Sequence, residues 1–352
     1  MKHHLIYYVV WVFLFCSCNK SHKKKIINEF KEEKNIENEA IKLKNDSIFS
    51  MVFGMICLND NLIAYDVDNI FLFSITDLKK HEMLSKFGKL GQGPEDISSL
   101  PTSVSIVDQT SISFFESNKN ILYTINLKDP VSPTIQKNEF LKESEEMFMS
   151  LSPIKSNLFI ATGTFANGRY LLMNKNGEKI SYNFDYPHVP NKENLTNAHK
   201  AMAFQGKLMA RPDGERFFFA CEDSEIFEII KIEQDNKLNK IYEFHGELAH
   251  FKAEGDGITT IASAIDRNSN TKFVDAYGTQ NFIYLLYANK IIGNDIYKSY
   301  LANTILVFDW NGKAIKKLNL DTDLSKIAVD EFDKTLYGID PNSETYLVKF
   351  PL

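Results

Sequence analysis

From about residue 48 onward, short apolar runs alternate with turns that are rich in Asn, Asp, Gly and Lys. Examples are "NLIAYDVDNIFLFSI", "SNLFIATGTF" and "QNFIYLLYAN", in which Ile, Leu, Phe and Tyr predominate. Runs of this length, bounded by turn residues, are typical of β-strands. Helical periodicity is scarce and is confined to residues 141–150 and 249–256. The pattern therefore predicts an all-β domain.

Two segments share one spacing and predict β-hairpins. "LLMNKNGEKI" (171–180) and "LVFDWNGKAI" (306–315) both place Asn-Gly between an apolar run and a second strand. Asn-Gly fits a type I′ turn, because both central residues of that turn need a positive φ. Each hairpin is expected to supply the outer two strands of a sheet. A second phrase, an Asp turn before an aromatic strand, recurs in "IVDQTSISFFE", "RPDGERFFFA" and "AVDEFDKTLYGI".

Two phrases that alternate several times predict the blades of a β-propeller. Six blades are expected, near residues 60–88, 100–140, 150–185, 202–245, 271–320 and 325–352, and seven blades are the alternative. The two Asn-Gly hairpins are assigned to blades two apart, because residues 247–270 read as an inserted loop. Residues 48–58 are expected to close the ring against the C-terminal "ETYLVKF", since an open ring would leave unpaired sheet edges.

The first eighteen residues, "MKHHLIYYVVWVFLFCSC", differ from the rest of the chain. Lys2 precedes an apolar run over residues 5–15, which fits a signal peptide and is too short to span a bilayer. A small residue before Cys18, directly after that run, resembles a bacterial lipobox. That resemblance implies cleavage before Cys18 and attachment of lipid to its sulfur. The predicted organisation is a lipoprotein signal peptide at 1–17, a charged tether at 18–47 and the propeller at 48–352.

Composition and charge exclude one class of partner. The 352 residues are 44% hydrophobic and 24% charged, and the formal net charge of −6 argues against general nucleic-acid binding. The lysines between residues 20 and 25 are a local exception, and they either attract anionic lipid heads or belong to a solvated linker. Cys57 and Cys221 remain in the mature chain, as a disulfide pair or as two buried free thiols.

The loop "GKLGQGPED" concentrates glycines and a proline between two predicted blades. It matches neither the phosphate-binding order G-x-x-x-x-G-K-[ST] nor the dinucleotide fingerprint G-x-G-x-x-G, so no nucleotide is expected. Glycine permits a positive φ and close backbone approach, and proline stiffens the exit. The prediction is an inter-blade loop with a structural role, and anion binding by its exposed amides is the alternative. Its residues are Gly88, Gly91, Gly93, Pro94 and Glu95.

Residue spacing offers little for metal binding or nucleophilic catalysis. None of the eight histidines has a zinc-site spacing, and the closest pair of those that follow the signal peptide, His245 and His250, is five residues apart. No G-x-S-x-G elbow is present in the sequence. No catalytic residue, metal ligand or cofactor is therefore predicted. A calcium ion in the central channel stays open, because its ligands would come from separate blades.

Three residues are candidate ligand contacts. Arg169 and Arg211 stand where predicted strands begin, so a guanidinium there can clamp a carboxylate at a ring opening. A surface salt bridge is the alternative for both. Trp310 lies in the turn of its hairpin, where it is either an exposed contact residue or packs on the neighbouring blade.

Several of these features together resemble the six-bladed, TolB-like propeller lipoproteins of Bacteroides and relatives. They are the signal ending in Cys18, the loop "FGKLGQGPEDI", "PDG" at 212–214 and the hairpin "ILVFDWNGK". In that family a Gly-x-Gly-Pro-Glu-like phrase typically follows the first full blade, as residues 91–95 do here. The resemblance covers about residues 48–352 and implies a fold and a cell-envelope address. Surface-exposed relatives typically carry acidic residues after the lipidated cysteine. Basic residues follow Cys18, which favours the outer membrane with the protein facing the periplasm.

The expected function is that of a non-catalytic binding or scaffolding module for an envelope protein or peptide. The alternative is a metal-dependent, lactonase-like hydrolase or lyase acting on a small or carbohydrate-derived substrate. An enzyme should have carboxylates or histidines that converge in the channel. A scaffold should have a channel filled by apolar side chains and an apolar patch on one face.

Overall fold

The computed structural model describes residues 24–352, except residues 69, 94–95, 142–143, 145, 191–193 and 259. The predicted signal peptide and Cys18 lie outside the described residues. The described chain begins with a 3₁₀ helix (Ile26–Glu29), strands β1 (Glu33–Ile36) and β2 (Glu39–Ala40), and a 3₁₀ turn (Lys44–Asp46). Within the described chain, no helix is both long enough and apolar enough to cross a membrane.

Blades one to three each contain four antiparallel strands that follow one another from the inside of a ring outward. Blade one contains β3 (Val52–Leu58), β4 (Asn61–Asp66), β5 (Phe71–Asp77) and β6 (Glu82–Lys89). Blade two contains β7 (Ser103–Asp108), β8 (Ser111–Glu116), β9 (Ile121–Asn126) and β10 (Thr134–Asn138). Blade three contains β11 (Phe148–Ile154), a 3₁₀ turn (Lys155–Asn157), β12 (Leu158–Gly163), β13 (Tyr170–Asn174) and β14 (Lys179–Asn183).

Blades four to six complete the ring and include two insertions. Blade four follows helix α1 (Asn197–Ala203) and contains β15 (Gly206–Ala210), β16 (Arg216–Cys221), β17 (Ile226–Ile232) and β18 (Leu238–His245). A separate hairpin of β19 (Phe251–Glu254) and β20 (Ala262–Ile265) precedes blade five. Blade five contains β21 (Asn270–Gly278), β22 (Phe282–Ile291), helix α2 (Ile296–Ser299), β23 (Ala302–Asp309) and β24 (Ala314–Leu324). Blade six contains β25 (Lys326–Val329), β26 (Thr335–Ile339) and β27 (Leu347–Pro351).

The six blades confirm the predicted all-β, six-bladed propeller. The innermost strands β3, β7, β11, β15, β21 and β25 contact one another around a central channel. The core lies between blades, where aromatic side chains of adjacent sheets meet. Phe73 of blade one lies 4.8 Å from Phe114 of blade two, which stacks on Tyr123 at 4.5 Å, as measured between ring centroids. Middle strands such as β8 are buried along their whole length because a neighbouring blade covers each face.

The two Asn-Gly hairpins join the outer strands of blades three and five, as predicted, but their turn type differs from the prediction. Of the turn residues, all of which are described, only Gly177 (φ 81°) and Gly312 (φ 82°) have a positive φ. The side chains of Asn174 and Asp309 accept backbone hydrogen bonds inside each turn. These contacts stabilise a longer turn with a bulge in the adjoining ladder, so only glycine needs the left-handed conformation.

The N-terminal segment closes the ring, and residues 48–58 do not. Strand β2 pairs antiparallel with β27 and thereby becomes the outer strand of blade six. Strand β1 pairs in parallel with β24 on the outer edge of blade five. Val52–Leu58 is instead the innermost strand of blade one. The expectation that residues 48–58 pair with the C-terminal strand was therefore wrong, because the closing strand comes from residues 39–40.

Residues 24–47, which the sequence places in a charged tether, pack against the propeller. The side chain of Ile26 is fully buried, and its amide donates a hydrogen bond to Glu225 Oε1 at 3.1 Å. Tyr242 donates its hydroxyl to Glu29 at 2.6 Å. Further along, Ile41 is also buried. These apolar residues are spaced irregularly among charges, so they carry no periodic signal of a strand or helix.

Candidate functional site

The central channel has a cavity at each end. The innermost strands begin at one end, where residues of all six blades line a cavity of about 250 Å³, called here the mouth cavity. At the other end of the channel, where the innermost strands end, lies a cavity of about 470 Å³, called here the base cavity. Between the two, an apolar part of the channel is lined by Met55, Val104, Met209 and Tyr277. The channel therefore offers two separate places for a ligand.

The mouth cavity combines charged side chains with aromatic walls. Lys207 and Lys326 line it from the starts of the inner strands β15 and β25. Phe204 and Phe219 contribute aromatic surface. Gln205 at the rim is exposed, so the cavity opens to solvent on that side. A concave site with apolar walls and a few polar groups is the usual form of a small-ligand pocket.

Helix α1 and the β19–β20 hairpin cover part of the mouth cavity. Thr196 caps the helix by accepting a hydrogen bond from the His199 amide, which explains why the helix begins there. The ring of Phe204, just after the helix, packs edge-on against Phe251 of the hairpin at 5.8 Å. Ser263 of the hairpin donates a hydrogen bond to the His199 carbonyl at 2.7 Å. The loop predicted at 247–270 is thus an insertion that closes over the mouth.

Arg169 is buried in the wall of the mouth cavity. Its Nη1 donates to Glu228 Oε2 at 2.8 Å, which joins blade three to blade four. Its guanidinium carbon lies 4.4 Å from the ring centre of Phe219 and 5.5 Å from that of Tyr186. The two remaining donors, Nε and Nη2, are buried without a hydrogen-bond partner. The prediction that Arg169 forms a surface salt bridge was wrong, because its ion pair is fully buried.

Glu228 is the centre of a charge network behind that wall. Its carboxylate also accepts from the Tyr170 hydroxyl at 2.5 Å, Lys240 Nζ at 3.1 Å and His245 Nε2 at 3.0 Å. Burial alone would raise the pKa of the Glu228 carboxyl, but the charge of Arg169, the His245 hydrogen bond and Lys240 hold it well below its usual range. The carboxylate is therefore ionised and its charge is offset by cations.

One group of residues in the described chain has the donor types and spacing to hold a metal ion. It consists of Glu228, Glu243 and His245. Lys240 lies 3.0 Å from Glu243 and also contacts Glu228, so a lysine cation already occupies the space between these carboxylates. The arrangement fits a salt-bridge network better than a metal site, because a metal would have to displace that ammonium group. His250 does not belong to the group.

Two further carboxylates line the mouth cavity. Asp275 accepts from Lys207 Nζ at 3.2 Å and from the Ile327 amide at 3.0 Å, so its charge is compensated. Burial, and then the nearby charge of Asp223, raise the pKa of Glu222 to about 7, although Lys326 opposes the shift. Glu222 thus changes its charge near neutral pH, as a general acid or base would need to do.

Sequence reasoning missed Glu222, Lys207, Asp275 and Lys326. Their common feature is position, since each lies near the mouth end of a blade strand. The segment "ACEDSE" carried the clearest signal, because three acidic residues follow directly on the aromatic strand "RFFF". The other three residues are far apart in sequence, and only ring closure brings them together.

The base cavity is more apolar and has an exposed rim. Ile106, Pro212 and Val329 line it. At the rim, the side chains of Phe332 and Val107 are 66% and 40% exposed. Two exposed carboxylates, Asp108 and Glu331, also belong to the lining. An apolar depression with exposed hydrophobic edges is characteristic of a protein-interaction surface.

The glycine loop is an inter-blade connection whose described part binds its own carboxylate. The Gly93 amide donates to Asp96 Oδ2 at 2.8 Å, and a Cβ at Gly91 or Gly93 would collide with the same carboxylate. Gly88 has a φ of 72°, which favours glycine. The Asp96 carboxylate thus accepts from the Gly93 amide, which an external anion would otherwise bind. Pro94 and Glu95 lie outside the described residues.

The structure does not bring the three candidate contact residues together. Arg211 lies at the base end in the β15–β16 turn, where it pairs with Asp213 (Nε to Oδ1, 2.8 Å) and with Glu215 (3.3 Å). Trp310 is only 2% exposed, and its Nε1 donates to the Thr279 carbonyl at 2.9 Å. Its ring packs against Phe218 of blade four, with 5.9 Å between ring centroids. Of the two alternatives, Trp310 therefore packs on the neighbouring blade and is not an exposed contact residue. Only Arg169 lines the mouth cavity.

The two cysteines of the described chain are both free and buried. Cys57 lies in blade one and Cys221 in blade four. Burial raises the pKa of both thiols, that of Cys221 to about 12. Of the two alternatives that the sequence left open, the structure shows free thiols, which burial makes unreactive.

Comparison with known structures finds similar chains at very low sequence identity. A DUF4221 family member from Bacteroides vulgatus has a TM-score of 0.55 and 9% identity over 90% of this chain and 97% of its own. A calcium-binding protein, regucalcin, from Agrobacterium tumefaciens has a TM-score of 0.49 and 7% identity over 90% and 95%. The U3-55K structure also has a TM-score of 0.49, with 8% identity over 90% and 98%. No curated protein matches the sequence.

The family model for TolB-like six-bladed propellers matches residues 29–332. That range includes strand β1, which the sequence placed in the tether, and extends into blade six. The family is associated with the cell envelope. The match spans most of the chain and agrees with the six sheets of the structure, so this protein belongs to the TolB-like six-bladed β-propeller family.

Proposed function

We propose that the protein is a lipid-anchored binding module of the cell envelope, which docks a protein or peptide partner without covalent chemistry. The observation that carries the proposal is the base cavity, an apolar depression of about 470 Å³ beside the exposed side chains of Phe332 and Val107. Hydrophobic anchors that fill such a depression supply most of the binding energy at protein interfaces.

The charge at the rim favours one kind of partner. Asp108 and Glu331 are exposed beside the apolar floor. A segment that inserts an apolar side chain and carries basic residues on either side would match both features. An apolar stretch of the channel lies between this site and the mouth cavity.

The proposed anchor is Cys18, with the propeller on the periplasmic side of the outer membrane. The lipobox-like sequence and the basic residues that follow it support this placement, as does the envelope association of the family. Both Cys18 and the signal peptide lie outside the described residues. Docking in this way requires no cofactor.

A hydrolase or lyase is the second candidate, and one observation favours it. Desolvation in the mouth cavity and the charge of Asp223 raise the pKa of the partly buried Glu222 to about 7, which suits proton transfer. The metal-dependent form gains less support, because the Glu228, Glu243 and His245 group already holds Lys240. Turnover of a lactone or ester probe by the full chain, lost in Glu222→Gln, would favour the enzyme.

Site-specific photo-crosslinking in the native bacterium tests the docking proposal. A photoreactive phenylalanine analogue replaces Phe332 in one strain and Ile180 in another, with Cys18 intact in both. Ile180 is a matched control, because it is 43% exposed on the outer strand of blade three, away from the base cavity. We expect one discrete envelope protein to crosslink at position 332 and not at position 180.

A charge variant then tests the chemistry of the interface. Glu331→Lys should weaken capture of the same protein and make the remaining binding less sensitive to salt, since steering by opposite charges is lost. Phe332→Asp should abolish capture without lowering the melting temperature, because the side chain is exposed. Equal crosslinking at positions 332 and 180 would contradict the proposal.

A further inference from the structure

One edge of a buried guanidinium in the mouth cavity has no partner in the protein. Arg169 Nη1 is held by Glu228, whereas Nε and Nη2 have no hydrogen-bond acceptor although both atoms are buried. An unpaired buried donor carries the whole cost of its desolvation, and folded proteins retain few of them. We therefore expect a hydrogen-bond acceptor to bind the Nε–Nη2 edge of Arg169.

Arg169 itself lines the mouth cavity, together with Phe219 and Tyr186, over whose rings its guanidinium lies, and Glu228 does not. Because Glu228 holds Nη1, the Nε–Nη2 edge is the part of the guanidinium that is left for a ligand. Nε and Nη2 are parallel donors on one planar group, and this pair matches the two oxygens of a carboxylate. A lysine in the same place would supply a charge but no such fork.

We propose that the mouth cavity binds a small ligand through a carboxylate group, and that the Nε–Nη2 edge of Arg169 anchors it. Lys326 also lines the cavity and adds positive charge, whereas Lys207 is paired with Asp275, and Glu222 belongs to the same lining. The stack on Phe219 fixes the guanidinium plane before the ligand arrives, so little order is lost on binding. This site is separate from the base cavity and does not depend on a protein partner there.

The size of the cavity limits the ligand. About 250 Å³ holds a short-chain acid, a sugar acid or the last residue of a peptide. Phe204 and Phe219 provide apolar surface for the body of the ligand, and the exposed Gln205 marks the entrance. All three ligands share the carboxylate. A pair of probes that differ only in that group tests whether the carboxylate binds, and comparison of pairs with different bodies tells a sugar acid from a peptide terminus.

Calorimetric titration of the mature full-length chain, in detergent, tests the site. The probes are two acid–neutral pairs, D-glucuronate with D-glucose and acetyl-alanine with acetyl-alanine amide, and inorganic phosphate is a competing anion. We expect at least one acid to bind about tenfold or more tightly than its neutral counterpart. The pair that responds identifies a sugar acid or a peptide terminus as the source.

Two variants separate anchoring from folding. Arg169→Lys keeps a cation beside Glu228 but removes the fork, and it should weaken carboxylate binding about tenfold or more. Gln205→Trp fills the entrance without touching the Arg169 pair, so binding should be lost while the melting temperature stays unchanged. Gln136→Trp on the exposed outer strand of blade two is the control and should leave affinity unchanged.

Three results would overturn the proposal. The first is that each acid binds no more tightly than its neutral partner, or that phosphate is the only probe that binds. The second is wild-type affinity in both Arg169→Lys and Gln205→Trp. The third is no response to any acid at about 10 mM, together with a crystal structure in which only ordered water occupies the Nε–Nη2 edge, since water also satisfies buried donors.

Discussion

The two ends of the channel are built from the same six strands but are stabilised in different ways. At the mouth, Arg169, Glu228, Lys207 and Asp275 form buried or half-buried ion pairs. At the base end, Trp310 packs on Phe218 between blades four and five, the channel opens into the apolar base cavity, and charges stay at the rim. A pocket walled by paired charges suits a small polar ligand, whereas an apolar depression suits a side chain of another protein. The contrast can be tested by removing one residue at each end.

The largest effect is expected at the base end, from Trp310→Ala. The indole is buried against Phe218 and Gly278 and donates to Thr279, so its removal leaves a large cavity and an unpaired carbonyl. We expect a loss of about 3–5 kcal/mol in the free energy of unfolding. Chemical denaturation measures it. Phe332→Ala is the control, because its exposed ring should cost less than about 0.5 kcal/mol. Equal losses would show that the base end is not packed as described.

A somewhat smaller loss is expected at the mouth end, from Arg169→Met. Methionine keeps the packing on Phe219 but leaves Glu228 with only Lys240, His245 and Tyr170 as partners. Breaking one side of a buried pair should cost about 3 kcal/mol. Lys179→Met removes a half-exposed partner of Glu146 and should cost less than about 1 kcal/mol, which makes it a matched control for thermal unfolding. A cost below that of the control would mean that the buried pair adds no stability.

The smallest effect is a pH dependence that arises at the mouth from Glu222. The pKa of Glu222 is about 7 in the folded protein against 4.5 for an unperturbed glutamate side chain, so the folded state retains the proton across that interval. Its contribution to stability is complete below pH 4.5 and is lost as pH rises through 7. We expect a decline of about 2 kcal/mol from this group over that range.

Thermal unfolding from pH 5 to 8 measures the decline, and Glu222→Gln should flatten it. Asp223, Asp275 and Lys326 are the charged neighbours that set the shift, and the variant leaves them in place. Glu37→Gln, at an exposed position, should leave the slope as it is in the wild type. An unchanged slope in Glu222→Gln would assign the pH dependence to another group.

The sequence predicted architecture better than it predicted the sites. Turn residues and apolar runs act locally, which is why the blade positions and the two hairpins were confirmed from their spacing alone. Turn type was missed because the side chains of Asn174 and Asp309 stabilise a longer loop than Asn-Gly implies. Glu222, Lys207 and Lys326 belong to different strands, so nothing in their local sequence indicates that they meet. Arg169 was singled out correctly as a residue at an opening, but its burial depends on blade four.

The packing of residues 24–47 against the propeller shortens the free segment that follows Cys18. If Cys18 carries lipid, only seven residues separate it from the buried Ile26, and this segment reaches at most about 28 Å when fully extended. A free tether up to residue 48 would reach about 100 Å. The chain joins the propeller beside Glu225, close in sequence to the cavity residue Glu222. A connection this short would hold the mouth toward the lipid surface and turn the base, with Phe332, away from it.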